Sequence, residues 1–281
     1  MAPFAADLAT RAHNRPSPEA GVVPAPGAVG VSLLEHISRI TEATTIEEVW
    51  ALHVERMAIY GFDRLLYGFT RFRRGNSFGS LDDVLVLSNH CPEYLAGFLD
   101  GGMYPNAPTL RWATHNEGAC SWRLVQEMAR AGSLTAEEQR VLAFNRKFDV
   151  SAGYTISFRD GSVRNKGAIG LVARPDLSQD DVDAVWEQHG VEIQSINTVT
   201  HLKIASLPYV VPRRLLTARQ REVLEWVGDG KGVQDIATIL GVTAATVEKH
   251  LRLARDNLDV DTTAQAVLKA AMQNQIFVIG A

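Results

Sequence analysis

Glu248, Lys249, Arg252 and Arg255 share one side of the segment "AATVEKHLRLARDNL". An arginine fork in this setting matches guanine O6 and N7, or a phosphate, and a glutamate accepts from cytosine N4. Thr243 stands where a hydroxyl caps a helix, and Thr246 joins it as a candidate DNA contact. On the other side Val247, Leu251, Ala254 and Leu258 recur at helical spacing and form one buried stripe. A helix of about fifteen residues is roughly 22 Å long, enough to cross a major groove. Gly241 supplies the tight turn between "VQDIATIL" and this helix, so the spacing predicts a helix-turn-helix.

Catalytic chemistry finds less support. The chain carries no GxSxG, P-loop, HExxH or paired CxxC. Its eight histidines are scattered, without the close pairing of metal ligands. "RFRRGNSFG" lacks the strand–loop–helix context of a phosphate cradle and reads as a solvated loop. No catalytic residue, metal or cofactor is expected. Two cysteines, Cys91 and Cys120, suit a reducing cytoplasm rather than a disulfide framework. No apolar run approaches a membrane span, and the start of the chain does not read as a secretory signal. The net charge is −4, so any attraction to nucleic acid must be local.

The chain's 281 residues suffice for two domains. Residues 1–31, rich in Pro, Ala and Gly, read as a disordered tail. Ser32 opens an amphipathic helix. Capping boxes at Thr45/Glu48 and Thr135/Glu138 open two more, and a long helix runs from Asp180 to about Ile204. Strands are expected at 64–72, 84–88, 153–159 and 167–173, and a short helix over 92–102. Pro208 and Pro212 mark a linker over 205–215, so the mixed domain spans 32–204 and an all-helical one spans 216–281. In the latter, Thr217/Gln220 is a third capping box, and a last helix runs from about Thr263 to Asn274.

The segment from Leu216 to Val267, with its Glu222-Val223-Leu224, Gly230-Lys231, Ile236-Ala237, Thr246-Val247 and His250-Leu251 pairs, resembles the DNA-binding domain of LuxR-type and NarL/FixJ-type regulators. From Ala205 onward nine basic residues face eight acidic ones, a weak footprint for one copy. Such proteins resemble dimers on two half-sites of a palindromic operator, which doubles the phosphate contacts. A phosphoacceptor receiver domain fits poorly, because Asp82-Asp83 precedes its apolar run instead of following it.

The mixed domain instead resembles the autoinducer-binding domain of LuxR-type quorum-sensing regulators. "HCPEYLAGFLDGGMYPNAPTLRWA" matches the family's "NYPxxWxxxYxxxxYxxxDP" segment, and Trp122 follows Pro108 at the family spacing. The resemblance implies an α-β-α sandwich ahead of a four-helix helix-turn-helix domain, with a pocket between sheet and helices. It places Tyr94, Leu95, Tyr104, Ala107, Trp122, Thr155 and Gly170 at that pocket. The chain departs from the pattern where the family holds an acyl lactone. Cys91 stands at the Tyr position, Leu95 (or Tyr94, one residue shifted) at the Trp position, and Ala107 at the Asp position. A buried amide left without its acceptor costs roughly 1–3 kcal/mol, so three lost handles weigh against the usual lactone mode and point to a divergent or orphan member.

Packing alternatives stay open for several of these residues. Trp122 reads equally as core, Tyr94 and Tyr104 as packing residues with hydroxyls at the rim, His90 as a loop histidine and Cys91 as a small buried hydrophobe. Glu248 reads equally as a partner of Arg252 one turn on. The expected protein is a cytoplasmic, homodimeric DNA-binding regulator controlled by a small apolar signal. The alternatives are a LuxR-type regulator without ligand control or gated by a partner, and a phosphorylated response regulator.

Overall fold

The computed structural model describes residues 32–73, 78–159, 161–207 and 215–277. The tail expected over 1–31, Asp160 and the prolines of the linker lie outside the described residues. The chain divides into two compact units. One is drawn from residues up to Gly79 and from Val86–Ala205, the other from Ser80–Leu85 and Ser206 onward.

The first unit is built on a five-stranded sheet of order β2-β1-β5-β4-β3, from β1 (Phe62–Thr70), β2 (Val84–Ser88), β3 (Gly118–Ser121), β4 (Gly153–Ser157) and β5 (Lys166–Ala173). β1, β5, β4 and β3 pair antiparallel, and one cross-strand row aligns Leu66, Gly170 and Thr155. Its helices are α1 (Leu33–Glu42), α2 (Ile46–Ile59), α3 (Pro92–Leu95), α4 (Pro108–His115), α5 (Arg123–Arg130), α6 (Ala136–Arg146) and α7 (Gln179–Ser206). Both capping boxes expected here form, with Thr45 accepting from Glu48 N and Thr135 from Glu138 N. β3 is absent from the expected strands. It is a four-residue edge of small side chains without alternation, and it is ordered by pairing with β4. β1 starts and ends two residues earlier than the apolar run suggests.

The sheet's two faces differ. Leu65, Tyr67, Phe69, Ile156, Ile169 and Leu171 are all buried. Tyr67, and Phe158 just past β4, meet His201 of α7 on this face; Tyr67 Oη lies 2.9 Å from His201 Nδ1, and the Phe158 and His201 rings stack. α2 joins α7 through His53, whose Nε2 lies 3.0 Å from Asn197 Oδ1 and whose Nδ1 lies 3.1 Å from Thr200 Oγ1. The opposite face carries Leu66, Gly68, Ala168, Gly170, Gly153 and Thr155, mostly small. α4 packs there, where Ser157 donates to Ala113 O at 2.9 Å.

His53 carries a consequence for stability. Burial, opposed by the Asn197 bond, pulls its pKa down to about 3. The unfolded chain takes up this proton near pH 6.5 and the folded chain does not. The stability is therefore whole above that pH and is lost as pH falls through it. Between pH 7 and pH 5 the loss should be about 2 kcal/mol from this residue. Urea unfolding at both pH values measures it. His53→Gln should flatten the dependence by that amount, and an unchanged slope would contradict the assignment.

The second unit holds α8 (Ala218–Gly228), α9 (Val233–Leu240), α10 (Ala244–Leu258) and α11 (Thr263–Met272). Their apolar faces meet in one core that includes Leu216, Val223, Leu224, Ile236, Val247, Leu251, Ala254, Leu258, Ala266 and Ala270. The Thr217/Gln220 capping box forms, and Gln220 Oε1 also accepts from Asn257 Nδ2 at 3.2 Å, tying α8 to α10. A further box, Thr262/Gln265, opens α11. Gly241 closes α9 with φ 64°, a left-handed conformation that favours glycine, and so makes the sharp turn into α10.

Candidate DNA-binding helix and ligand pocket

Thr243 is the N-cap of α10. Its hydroxyl oxygen accepts from Thr246 N at 3.2 Å and lies 2.9 Å from the Thr246 hydroxyl, so both threonines fix the start of the helix. Val247, Leu251, Ala254 and Leu258 are buried as their spacing predicts. Glu248, Lys249 and Arg252 are exposed on the opposite side. Arg252 Nη1 pairs with Asp256 at 3.5 Å, both side chains well exposed, and not with Glu248. Among the described residues Glu248 and Lys249 have no ion-pair partner. Arg255 departs from the expected outward set. It is half-buried, and its Nη1 donates to Thr263 Oγ1 at 2.9 Å, bracing α10 against α11. The outward face of α10 is thus Glu248, Lys249 and Arg252, with Thr243 and Thr246 at its leading end.

In the first unit three of the seven expected pocket residues come together. Trp122 Nε1 donates to Thr155 Oγ1 at 2.9 Å, and a Cβ on Gly170 would lie 3.8 Å from Trp122 Cζ2 and 3.9 Å from Leu66 O. Leu66 and Gly170 sit on adjacent interior strands, β1 and β5, yet are only half-buried, whereas Leu65 and Leu171 behind them are fully buried. Leu66, Gly68 and Gly170 thus stay partly accessible on this face, where the residues behind them are buried. The corner that carries Trp122 is held by Asp183 of α7, a residue the sequence did not single out. Its carboxylate accepts from Ser121 Oγ at 2.7 Å, Tyr154 Oη at 2.8 Å, Gln179 Nε2 at 2.8 Å and Arg123 Nε at 2.7 Å. Burial raises the Asp183 pKa, but these bonds outweigh it and hold the group below its usual range.

Tyr94 belongs to a separate aromatic cluster. Its ring stacks on His90, Phe98 and Phe144 at centroid distances of 4.4, 5.3 and 5.5 Å. Its hydroxyl donates to Asn145 Oδ1 at 3.2 Å, so it is buried and engaged rather than set at a rim. Burial also raises the Tyr94 phenol above its ordinary pKa. His90 lies in the loop between β2 and α3, as expected, but its side chain does not face solvent. It is buried, its Nε2 has no hydrogen-bond partner among the described residues, and burial together with Arg64 holds its pKa near 3. Leu95 and Ala107 are buried apolar residues, and Ala107 is the N-cap of α4 without a side-chain cap bond. Tyr104 is half-buried in a short 3-10 turn. Cys91 is exposed, against the expectation of a small buried hydrophobe, and is the N-cap of α3 ahead of Pro92.

Among the described residues no helix is long and apolar enough to cross a membrane. The family described as "Autoinducer binding domain" matches residues 45–204, and the one described as "Bacterial regulatory proteins, luxR family" matches residues 214–270. Relatives include the transcriptional activator protein ExpR of Dickeya dadantii, 23% identical over 70% of this chain and 81% of its own length. The transcriptional activator protein AhyR of Aeromonas hydrophila is 24% identical over 84% of this chain and 87% of its own. RpaR of Rhodopseudomonas palustris, a quorum sensing-dependent transcriptional regulator, is 34% identical over 47% and 51%. Among solved structures, Escherichia coli SdiA superposes over 86% of this chain and 96% of its own with a TM-score of 0.47 and 16% identity.

Proposed function

The chain belongs to the autoinducer-binding, LuxR-type transcriptional regulators, and on that footing we propose a regulator whose DNA binding is switched by a small, largely apolar molecule held otherwise than an acyl-homoserine lactone usually is. The observation that carries the reading of the ligand is the row Leu66–Gly170–Thr155 beneath Trp122. It supplies room and apolar surface, but its indole N–H is already spent on Thr155. Leu95 and Ala107 offer no polar group in place of the family's Trp and Asp, and Cys91 offers only a weakly bonding thiol in place of its Tyr. The ligand is therefore retained by burial of apolar surface more than by directed hydrogen bonds.

The proposed regulator acts in the cytoplasm as a homodimer on a palindromic operator, with the two copies of α10 in successive major grooves. Thr243, Thr246, Lys249 and Arg252 position it on phosphates and bases, while Arg255 acts from within, through α11. A ligand switches such a protein only by favouring the DNA-competent state over the other.

Gly170→Leu tests the pocket. A Cβ there meets only ordinary contacts, so the fold accepts it, while the longer side chain fills the space over the sheet. Native mass spectrometry of protein purified from its source should show one small molecule per wild-type chain and none for the variant. At about ten times its Kd that molecule should add about 1.4 kcal/mol to wild-type stability, an increment absent from Gly170→Leu. Equal ligand retention by both proteins would move the pocket elsewhere. A homoserine lactone that stabilises the wild type as strongly as the resident molecule would refute the proposed mode of binding.

A further inference from the structure

We propose that Glu248 reads a base and selects a cytosine in each operator half-site. The inference rests on the placement of α10 in the major groove.

Glu248 is a carboxylate on the very face that must meet a polyanion. An exposed acid on a helix is modestly stabilised by a cation one turn away. Here that cation is engaged elsewhere, since Arg252 pairs with Asp256. On the preceding turn Ala244 and Ala245 offer only methyl groups. Glu248 is thus exposed and unpaired, with Lys249 beside it and Arg252 following it. Lys249 offsets its repulsion from phosphate and allows it to approach the groove floor.

At that floor a carboxylate accepts and cannot donate. Guanine presents O6 and N7 and thymine presents O4, all acceptors that repel it. Adenine offers its N6 amino group, but with the N7 acceptor alongside. Cytosine offers the N4 amino group with no acceptor beside it on the same base, the nearest being O6 of the paired guanine on one side only. The same carboxylate that weakens binding to most sequences therefore favours one.

The test uses full-length protein and a pool of randomised duplexes, selected with and without an organic extract of the source organism's spent medium. The wild type should enrich duplexes with one fixed C·G pair in each half-site, and replacing it should cost about ten-fold in affinity. Glu248→Ala should bind with that position alone relaxed, and Glu248→Gln should move its preference toward adenine, both with unchanged circular dichroism. Identical base preferences for all three proteins would overturn the inference and leave the DNA-binding reading standing. Failure of the wild type to enrich any duplex under either condition would overturn that reading, and the inference with it.

Discussion

Replacing Lys249 and Arg252 together by alanine is expected to weaken operator binding at least about a hundred-fold without unfolding the domain. Each good side-chain contact to a base edge is worth roughly 1–3 kcal/mol, and the double variant removes two per protomer. The folded state loses little in exchange. Lys249 has no ion-pair partner among the described residues, and the Arg252–Asp256 pair is exposed on both sides, where such pairs contribute under about 1 kcal/mol. Titration at several salt concentrations separates the two roles. Loss of a phosphate contact lowers the salt slope by about 0.9 per contact, whereas loss of a base contact relaxes sequence preference. Undiminished binding by a folded double variant would remove α10 from the groove.

Gly153→Ala is expected to destabilise the first unit by about 3 kcal/mol, at the upper end of overpacking costs. A Cβ there would stand 2.1 Å from the backbone oxygen of Leu171 and 3.2 Å from Trp122 Cζ3. The first obstacle is main chain and cannot swing aside. β4 would have to withdraw from β5, disturbing the Gly153↔Val172 pairing. It would also disturb the bonds by which Gly153 O accepts from Trp122 N and Gly153 N donates to Gln179 Oε1. Gly170→Ala is the control on the same sheet face, where the nearest atom is 3.8 Å away, and its melting temperature should stay near that of the wild type. If the two variants melt together, the close packing at Gly153 is contradicted.

Local hydrogen-bond chemistry was legible in the sequence. A Thr followed three residues later by Glu or Gln marks a helix start because both groups bond within one turn, and the boxes at Thr45, Thr135 and Thr217 form accordingly. The buried stripe of α10 followed from period alone. What the sequence left open was decided by partners distant along the chain. β3 has no alternation of its own and exists by pairing. Arg255 points outward on a lone helix, but Thr263 of the next helix draws it in. Arg252 has an acid one turn away on either side, which the sequence does not rank, and in the structure it pairs with Asp256. Asp183 reads as an ordinary acid near the start of a helix until four donors from three segments converge on it. At the proposed pocket, the family resemblance marked Trp122 and Thr155 separately, but not that the indole N–H of one is bonded to the hydroxyl of the other.

The most direct test of a ligand-controlled regulator is operator affinity by fluorescence anisotropy, using a duplex from the selection and full-length protein with and without the small molecule it carries from its source. A differential affinity of the usual size for coupled sites, roughly 5- to 150-fold, is expected, with the Gly170→Leu variant held at one end of that range whatever is added. Equal affinity in both states, from protein that carries no small molecule, would contradict ligand control and leave a constitutive or partner-gated DNA-binding protein.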